Sequence, residues 1–183
     1  PDARKWIIVD IGVTFGREDT TPGIDLILPD PAYLEEEREN IIAIVLTHAH
    51  EDHIGALGWL WPRLKAPVYA TPFTAALVRE KLREHGLLEK VPLTEIPLKG
   101  QITLGPFEID FVTLTHSIPE PNGLAIRTPL GLIWHTGDWK IDPDPLIGET
   151  TDEAKVRAMA GQLTVDVGLW GGVVPGNADD LAA

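Results

Sequence analysis

Ile41-Ile42-Ala43-Ile44-Val45-Leu46 is an unbroken apolar run, and it leads directly into Thr47-His48-Ala49-His50-Glu51-Asp52-His53. A short, mostly β-branched run without polar alternation predicts a strand buried on both faces. An apolar helix is expected next, from His53 or Ile54 to Leu64, stopped by Lys65-Ala66-Pro67 and bent or ended late by Pro62. The polar cluster therefore occupies a strand-to-helix turn. In α/β sheets the carboxyl ends of strands are where ligands bind.

The rest of the chain alternates strands and helices and points to an α/β fold. Trp6–Ile11 reads as a short buried strand ended by Gly12, and residues 13–31 as one long loop. Ala32–Asn40 is short, acidic and helical in pattern, Val68–Ala70 is a strand, and Phe73–His85 is a helix stopped by Gly86. From Val91 the period switches to two, and Ile102, Leu104, Phe107, Ile109, Phe111, Val112 and Leu114 predict a meander turning at Gly105-Pro106. A further hairpin runs through Gly123–Arg127 and Leu132–His135, and Thr151–Met159 has helical character. The stretch GLWGGVVPGNADDLAA has no defensible period.

Composition removes several function classes. With 15 Lys and Arg against 28 Asp and Glu, the net charge is −13, which argues against an electrostatic clamp on nucleic acid. Cys is absent, so neither a disulfide framework nor a thiolate metal site is available. No apolar run approaches the length of a membrane span, and PDARKWIIVD lacks a signal-peptide pattern, so no membrane association and a cytoplasmic location are expected. The first residue is Pro rather than Met, as in a fragment or a processed chain.

His48, His50, Asp52 and His53 form an H-x-H-x-D-H cluster containing three of the six His in the chain. Extended spacing puts His48 and His50 on one side of the backbone, about 6.5 Å apart along it. Two imidazoles so placed can converge on one ion with bonds of about 2.0–2.1 Å. Asp52 and His53 fall where the helix starts and can face a second ion. His and Asp without Cys suit zinc, manganese or other borderline-hard divalent ions. The competing picture, a solvated polar loop, suits a lone His better than this packed set. His116 and Asp138 each close a predicted strand and would, in isolation, be read as a strand end and a turn residue. Beside the first cluster they become the remaining ligands, and a carboxylate such as Asp138 can bridge two ions.

THAHEDHIGAL, LTHSIPEPNGLAIRTPLG and HTGDWKIDPDP resemble the metallo-β-lactamase fold over roughly Val9 to Asp152. HSIPEPN, TGDWKID and GIDLILPDPAYLEE narrow the resemblance to the ribonuclease J branch of the β-CASP nucleases. That resemblance implies the first half of an αββα sandwich. It also implies two divalent ions, expected to be zinc: His48, His50, His116 and Asp138 would hold one, and Asp52, His53 and a bridging Asp138 the other. Asp52, His53 and Asp138 are then the catalytic set. The implied activity is hydrolysis of RNA phosphodiesters through a metal-bound hydroxide, as endonuclease and 5′-to-3′ exonuclease. RNA is the implied substrate of the intact enzyme, and homo-oligomers are expected only at full length. Asp10 in VDIG matches an early Asp that buttresses the metal loop.

The sequence departs from the family after Asp152. The family's last ligand is a His returning after an inserted β-CASP domain, and no His follows His135. Residues 1–152 are therefore expected to form a partial metallo-β-lactamase domain and 153–183 a divergent tail without a packed partner. The second metal site should be incomplete and the nuclease impaired. Two other readings stay open: a metallo-β-lactamase-fold hydrolase of a small ester or thioester, and a non-catalytic metal-binding remnant.

Other polar residues have balanced readings. His135 could orient a ligand or be purely structural, and Ser117 and Lys140 could contact a substrate phosphate or simply cap a turn and meet solvent. His85 is explained by its place at a helix end. Asn122 reads as a turn residue, and Trp59 and Trp61 as half-buried packing.

Overall fold

A computed structural model describes residues 4–163. In chain order the elements are β1 (Trp6–Val9), β2 (Thr14–Phe15), β3 (Leu26–Ile27), α1 (Ala32–Glu36), a 3₁₀ turn (Arg38–Asn40), β4 (Ile41–Val45), α2 (Glu51–Ile54), α3 (Leu57–Leu64), β5 (Val68–Ala70), α4 (Pro72–Glu84), β6 (Leu93–Glu95), β7 (Gln101–Leu104), β8 (Phe107–Thr113), β9 (Asn122–Thr128), β10 (Gly131–His135) and α5 (Glu153–Ala160).

Two four-stranded sheets organise them. The first, in order β1-β4-β5-β6, is parallel throughout, its strands joined by helical crossovers. The second, in order β10-β9-β8-β7, is an antiparallel meander. Strand alternation divides the core into three layers. Ile44 and Leu46 face α3 and α4, meeting Leu57, Leu60, Trp61, Val78 and Leu82. Ala43 and Val45 face the other way and pack between the sheets against Ile109, Phe111, Leu124 and Ile126. On the outer face of the second sheet, Val112 and Ala125 are covered by Met159 of α5, with Trp134 and Val156 alongside. The order helix, sheet, sheet, helix follows the αββα arrangement of which the resemblance implied the first half.

The differences from the expected elements have local causes. β1 stops at Val9 because Asp10 takes a left-handed backbone (φ 62°) that swings its carboxylate toward the β4 end. The supposed loop 13–31 contains the small antiparallel hairpin of β2 and β3. The helix after the His cluster starts earlier, at Glu51, and is split around Gly55-Ala56. The split occurs where the chain around Gly12 is laced to it: Ile11 N–H donates to His53 O, Val13 N–H to Glu51 O, and Ala56 N–H to Ile11 O. Pro62 lies inside α3, which runs on to Leu64 and ends at Lys65 in the left-handed conformation. β6 leaves the period-two region to join the parallel sheet rather than the meander. The expectation that the chain beyond Asp152 finds no partner does not hold for α5, whose Met159 is 2% exposed. The rest of the expected tail, residues 164–183, lies outside the described residues.

The two layers are also tied at one end. Glu120, itself left-handed (φ 56°), reaches across to accept the Phe73 N–H (2.8 Å) in the first turn of α4. A carboxylate suits a helix N-terminus, where backbone donors lack intrahelical partners. No helix among the described residues is long and apolar enough to cross a membrane.

Phe111 is fully buried between the sheets, whereas Leu130 is 99% exposed at the β9–β10 turn. Phe111→Ala should cost about 3–5 kcal/mol and Leu130→Ala less than about 0.5 kcal/mol in urea unfolding of the chain. Equal costs would contradict the layer assignment.

Candidate metal centre

The site is assembled where β4 runs out. Beyond Val45 the chain leaves the ladder, and Asp10 from the end of β1 takes up the freed groups. Asp10 Oδ1 accepts the Thr47 N–H at 2.7 Å, and Oδ2 accepts the Thr47 hydroxyl at 2.8 Å. The same Oδ2 accepts His53 Nδ1–H at 2.7 Å. The Thr47 hydroxyl has given its proton to Asp10, so it can only accept from His48 Nδ1 at 3.0 Å. His48 is thereby held as the Nδ1–H tautomer and His53 likewise, which leaves Nε2 of both rings with a lone pair. One carboxylate thus orients two imidazoles, one directly and one through a hydroxyl.

Four imidazoles converge. Ring centroids of His48 lie 4.8 Å from His50, 3.9 Å from His53 and 5.1 Å from His116, and His50 lies 4.9 Å from His116. His48 Nε2 and His50 Nδ1 are 3.1 Å apart. Two nitrogens on one tetrahedral ion, with bonds of 2.0–2.1 Å, would be separated by about 3.3 Å. Asp138 Oδ2 lies 3.5 Å from His53 Nε2 and 3.9 Å from His116 Nε2, within reach of both sides of the cluster. Two sets, His48-His50-His116 and His48-His53-Asp138, have donor atoms within 4.8 Å of one another and could hold metal ions. The donor chemistry, imidazole and carboxylate without thiolate, is that of a divalent-metal site.

The electrostatics follow from burial and neighbours. Burial, reinforced by the charge of His53, lowers the His48 pKa to about 4. His116 is also lowered, by burial and then by His50. Burial pulls His53 down as well, but the hydrogen bond and charge of Asp10, with Asp138 and Asp52, outweigh it and the net shift is upward.

Two glycines let the loops approach this closely. A Cβ at Gly12 would run into the Asp52 backbone carbonyl, so only glycine lets the β1 end lie on α2. Gly137, with φ 57°, sits against the backbone of Asn122, where a Cβ would meet its carbonyl oxygen at 2.6 Å.

Of the residues expected at the site, His48, His50, His53, His116 and Asp138 come together, with Asp10 behind them. Asp52 stands at the edge, its side chain 62% exposed and its Oδ2 3.8 Å from His53 Nε2. It belongs to neither close set, because it lies in the first turn of α2 and faces solvent. In the two close groups His48 occurs twice, and Asp138 lies with His48 and His53. His135 Nδ1 accepts the Gly137 N–H at 3.2 Å, so it shapes the turn before Asp138 and is in neither donor set. Lys140 is paired with Asp142 at 2.8 Å, and Ser117 is exposed beside His116. His85 packs on Trp59, ring centroids 4.7 Å apart, away from the cluster. Two residues escaped the sequence reading. Thr47 carries the link from Asp10 to His48, and its signal was its place directly before the first His. Asn122, expected in a turn, is 1% exposed and donates through Nδ2 to Thr47 O (3.1 Å) and Glu120 O (2.8 Å).

Opposed shifts at neighbouring imidazoles give a checkable titration. In the metal-free chain, NMR of the imidazole C–H groups should show His48 neutral down to pH about 4 and His53 protonating above the ordinary 6.5. Between 6.5 and about 4 the unfolded chain binds the His48 proton better than the folded one. The stability His48 contributes is thus present above 6.5 and is lost as pH falls to about 4. His53 acts oppositely: its contribution is present below 6.5 and is lost as pH rises through its folded value. Identical ordinary titration of both rings would refute this account of the site.

Comparison with known proteins agrees with this geometry. The β-lactamase superfamily domain model matches residues 5–172. Ribonuclease J of Sinorhizobium meliloti is 51% identical over 157 residues, which is 86% of this chain and 28% of that protein. Ribonuclease J of Thermus thermophilus is 45% identical over 161 residues, 84% of this chain and 28% of that protein. The chain thus matches less than a third of the length of these relatives. Among solved structures, the metallo-β-lactamase fold protein YhfI from Bacillus subtilis aligns with TM-score 0.50 at 20% identity, over 78% of this chain and 54% of that one. Zn(2+)-bound PqqB from Methylobacterium extorquens aligns with TM-score 0.50 at 18% identity, over 70% of this chain and 47% of that one. The imidazole cluster at the end of β4, the αββα layers and the match across nearly the whole chain place this protein in the β-lactamase superfamily.

Proposed function

We propose that this chain carries the metal-binding part of a ribonuclease J-like enzyme, a metal-dependent hydrolase of RNA phosphodiesters. The observation that supports it most directly is the convergence of four imidazoles and Asp138, with the Nδ1–H of His53 held by Asp10 and that of His48 by the Thr47 hydroxyl. The residues fit divalent metal: His48 is fully buried and held neutral, and a buried neutral imidazole with a free Nε2 is a ready donor. On this reading His48, His50 and His116 hold one ion, His53 and Asp52 hold another, and Asp138 is shared between them. Zinc is the proposed metal, given the nitrogen-rich, thiolate-free donors and the spacing of His48 and His50. Bound there, divalent ions supply Lewis-acid charge that activates water and offsets charge on phosphate oxygens.

The protein's own contribution is positional. Asp10 and Thr47 fix the tautomers, and Asp138 presents one carboxylate to both sides of the cluster. Ser117, exposed next to His116, is placed to donate to a phosphate oxygen. Lys140, half exposed, is a second candidate for that contact, which it would share with Asp142. With a net charge of −13, attraction for RNA rests on bound cations and on whatever further protein completes the enzyme. The similarity to the ribonucleases J supports RNA over a small thioester.

His48→Ala or Asp138→Ala should abolish most zinc uptake and His85→Ala should leave it intact, read by metal analysis of the purified chain. Asp138→Ala should be the worst, since its loss leaves two cations facing each other without a shared anion. Equal losses in all three would sink the ligand assignment.

On this assignment one ion has four protein donors, His48, His50, His116 and Asp138, and the other three, Asp52, His53 and Asp138, so one zinc should survive dialysis and a second should be lost. The zinc-loaded chain should cleave 5′-monophosphorylated RNA slowly, with no turnover of a thioester. Two tightly held ions with ordinary ribonuclease turnover would overturn the incomplete-site reading, and preferential thioester hydrolysis would overturn the nuclease reading.

A further inference from the structure

Asn122 opens β9 in the second sheet, yet its strongest ties are to the loop that leaves β4 in the first. Its backbone N–H donates to Thr47 O at 3.2 Å and its Nδ2 donates to the same oxygen at 3.1 Å. The second Nδ2 hydrogen goes to Glu120 O at 2.8 Å, closing the segment that runs from His116 to β9. The Asn122 carbonyl in turn lies against Gly137, one residue before Asp138. One residue thus touches the three segments that carry His48, His116 and Asp138. They come from different sheets, and the packing between those sheets is apolar and without directional bonds, built from residues such as Val45, Phe111 and Leu124.

Asn122 holds this place at a cost. Its Oδ1 is buried and has no hydrogen-bond partner among the described residues. A flipped amide would not relieve it, since Oδ1 would then face two carbonyl oxygens. A buried acceptor without a partner is ordinarily selected against. The two donors therefore carry the value of the residue at this position.

We propose that Asn122 is a positioning residue for the metal centre, locking the His48 loop, the His116 segment and the Asp138 turn into one arrangement. This rests on the metal-site reading above. Its chemistry makes a specific demand: two N–H donors aimed at two carbonyls, in a side chain of this size. Asp has the same shape and no such donors, so it would put acceptors against acceptors.

The test compares Asn122→Asp and Asn122→Ala with the unaltered chain and with Val78→Ala, a core change on α4 remote from the centre. Zinc affinity is measured by competition with a chelator, melting temperature on the metal-free proteins, and imidazole resonances by NMR. Asn122→Asp should weaken zinc binding by more than about tenfold and Asn122→Ala by about tenfold, the range typical of groups supporting metal ligands. In the metal-free Asn122 variants the His48 and His116 resonances should shift while those of His85 stay put. Val78→Ala should lower the melting temperature without changing zinc affinity. If Asn122→Asp binds zinc like the unaltered chain, or Val78→Ala loses as much affinity for the same loss of melting temperature, Asn122 is packing and the proposal fails. If the unaltered chain takes up no zinc, the metal-site reading itself fails, and this proposal with it.

Discussion

Asp10 accepts hydrogen bonds from Thr47 and His53, residues 37 and 43 positions further along the chain, and the site is organised around that one carboxylate. To reach them it adopts a left-handed backbone, which ends β1 and costs an ordinary residue conformational energy that Asp tolerates better than most. In return, two imidazoles are set with their donor nitrogens outward. Burying His48 completely would leave a polar ring unsatisfied unless Nδ1 had a partner, and Thr47 supplies it. The shape of the β1 end, the close approach of Gly12 to α2 and the split between α2 and α3 all follow from holding Asp10 there.

The second organising requirement is registry between the sheets. Interdigitated side chains such as Val45, Phe111 and Leu124 hold the sheets together but tolerate small relative shifts. Ligand donors do not tolerate them. Polar ties concentrated at the metal end, Asn122 to Thr47 and Glu120 to the first turn of α4, convert a packed sandwich into a fixed constellation. Glycine at 137 allows the Asp138 turn to lie directly on that tie.

Much of this was legible in the chain itself. The apolar run of β4, the α4 periodicity and the hairpin of β9 and β10 were read at nearly their observed limits, because each is a local pattern with a single compatible partner geometry. The H-x-H-x-D-H cluster declared its chemistry through residue type and position after a buried strand. What local pattern does not show depends on the fold around it. Asp10 is tied to the metal loop in sequence only by resemblance, and nothing near it announces the left-handed turn or the groups it binds. Asp52 looked equivalent to its neighbours in the motif, but one helical turn rotates it toward solvent. The β2–β3 hairpin was missed because two-residue strands have no period to detect.

The sequence by itself carried the alternation of strands and helices, the doubly buried strand β4 and the candidate donor residues, while the layer order came from family resemblance. Burial preference and strand alternation are local properties of residue type, and the His and Asp residues are chemically fit for divalent metal wherever they meet. Only the tertiary structure decided which of these side chains lie closest together, with His48 in both close groups, Asp138 beside His53 and Asp52 at the margin. It alone also put Asn122, a residue that reads as a turn, into the core between three loops. Those outcomes turn on differences of an ångström or two between segments far apart in the chain, set by the packing of two sheets and the few hydrogen bonds that pin one to the other.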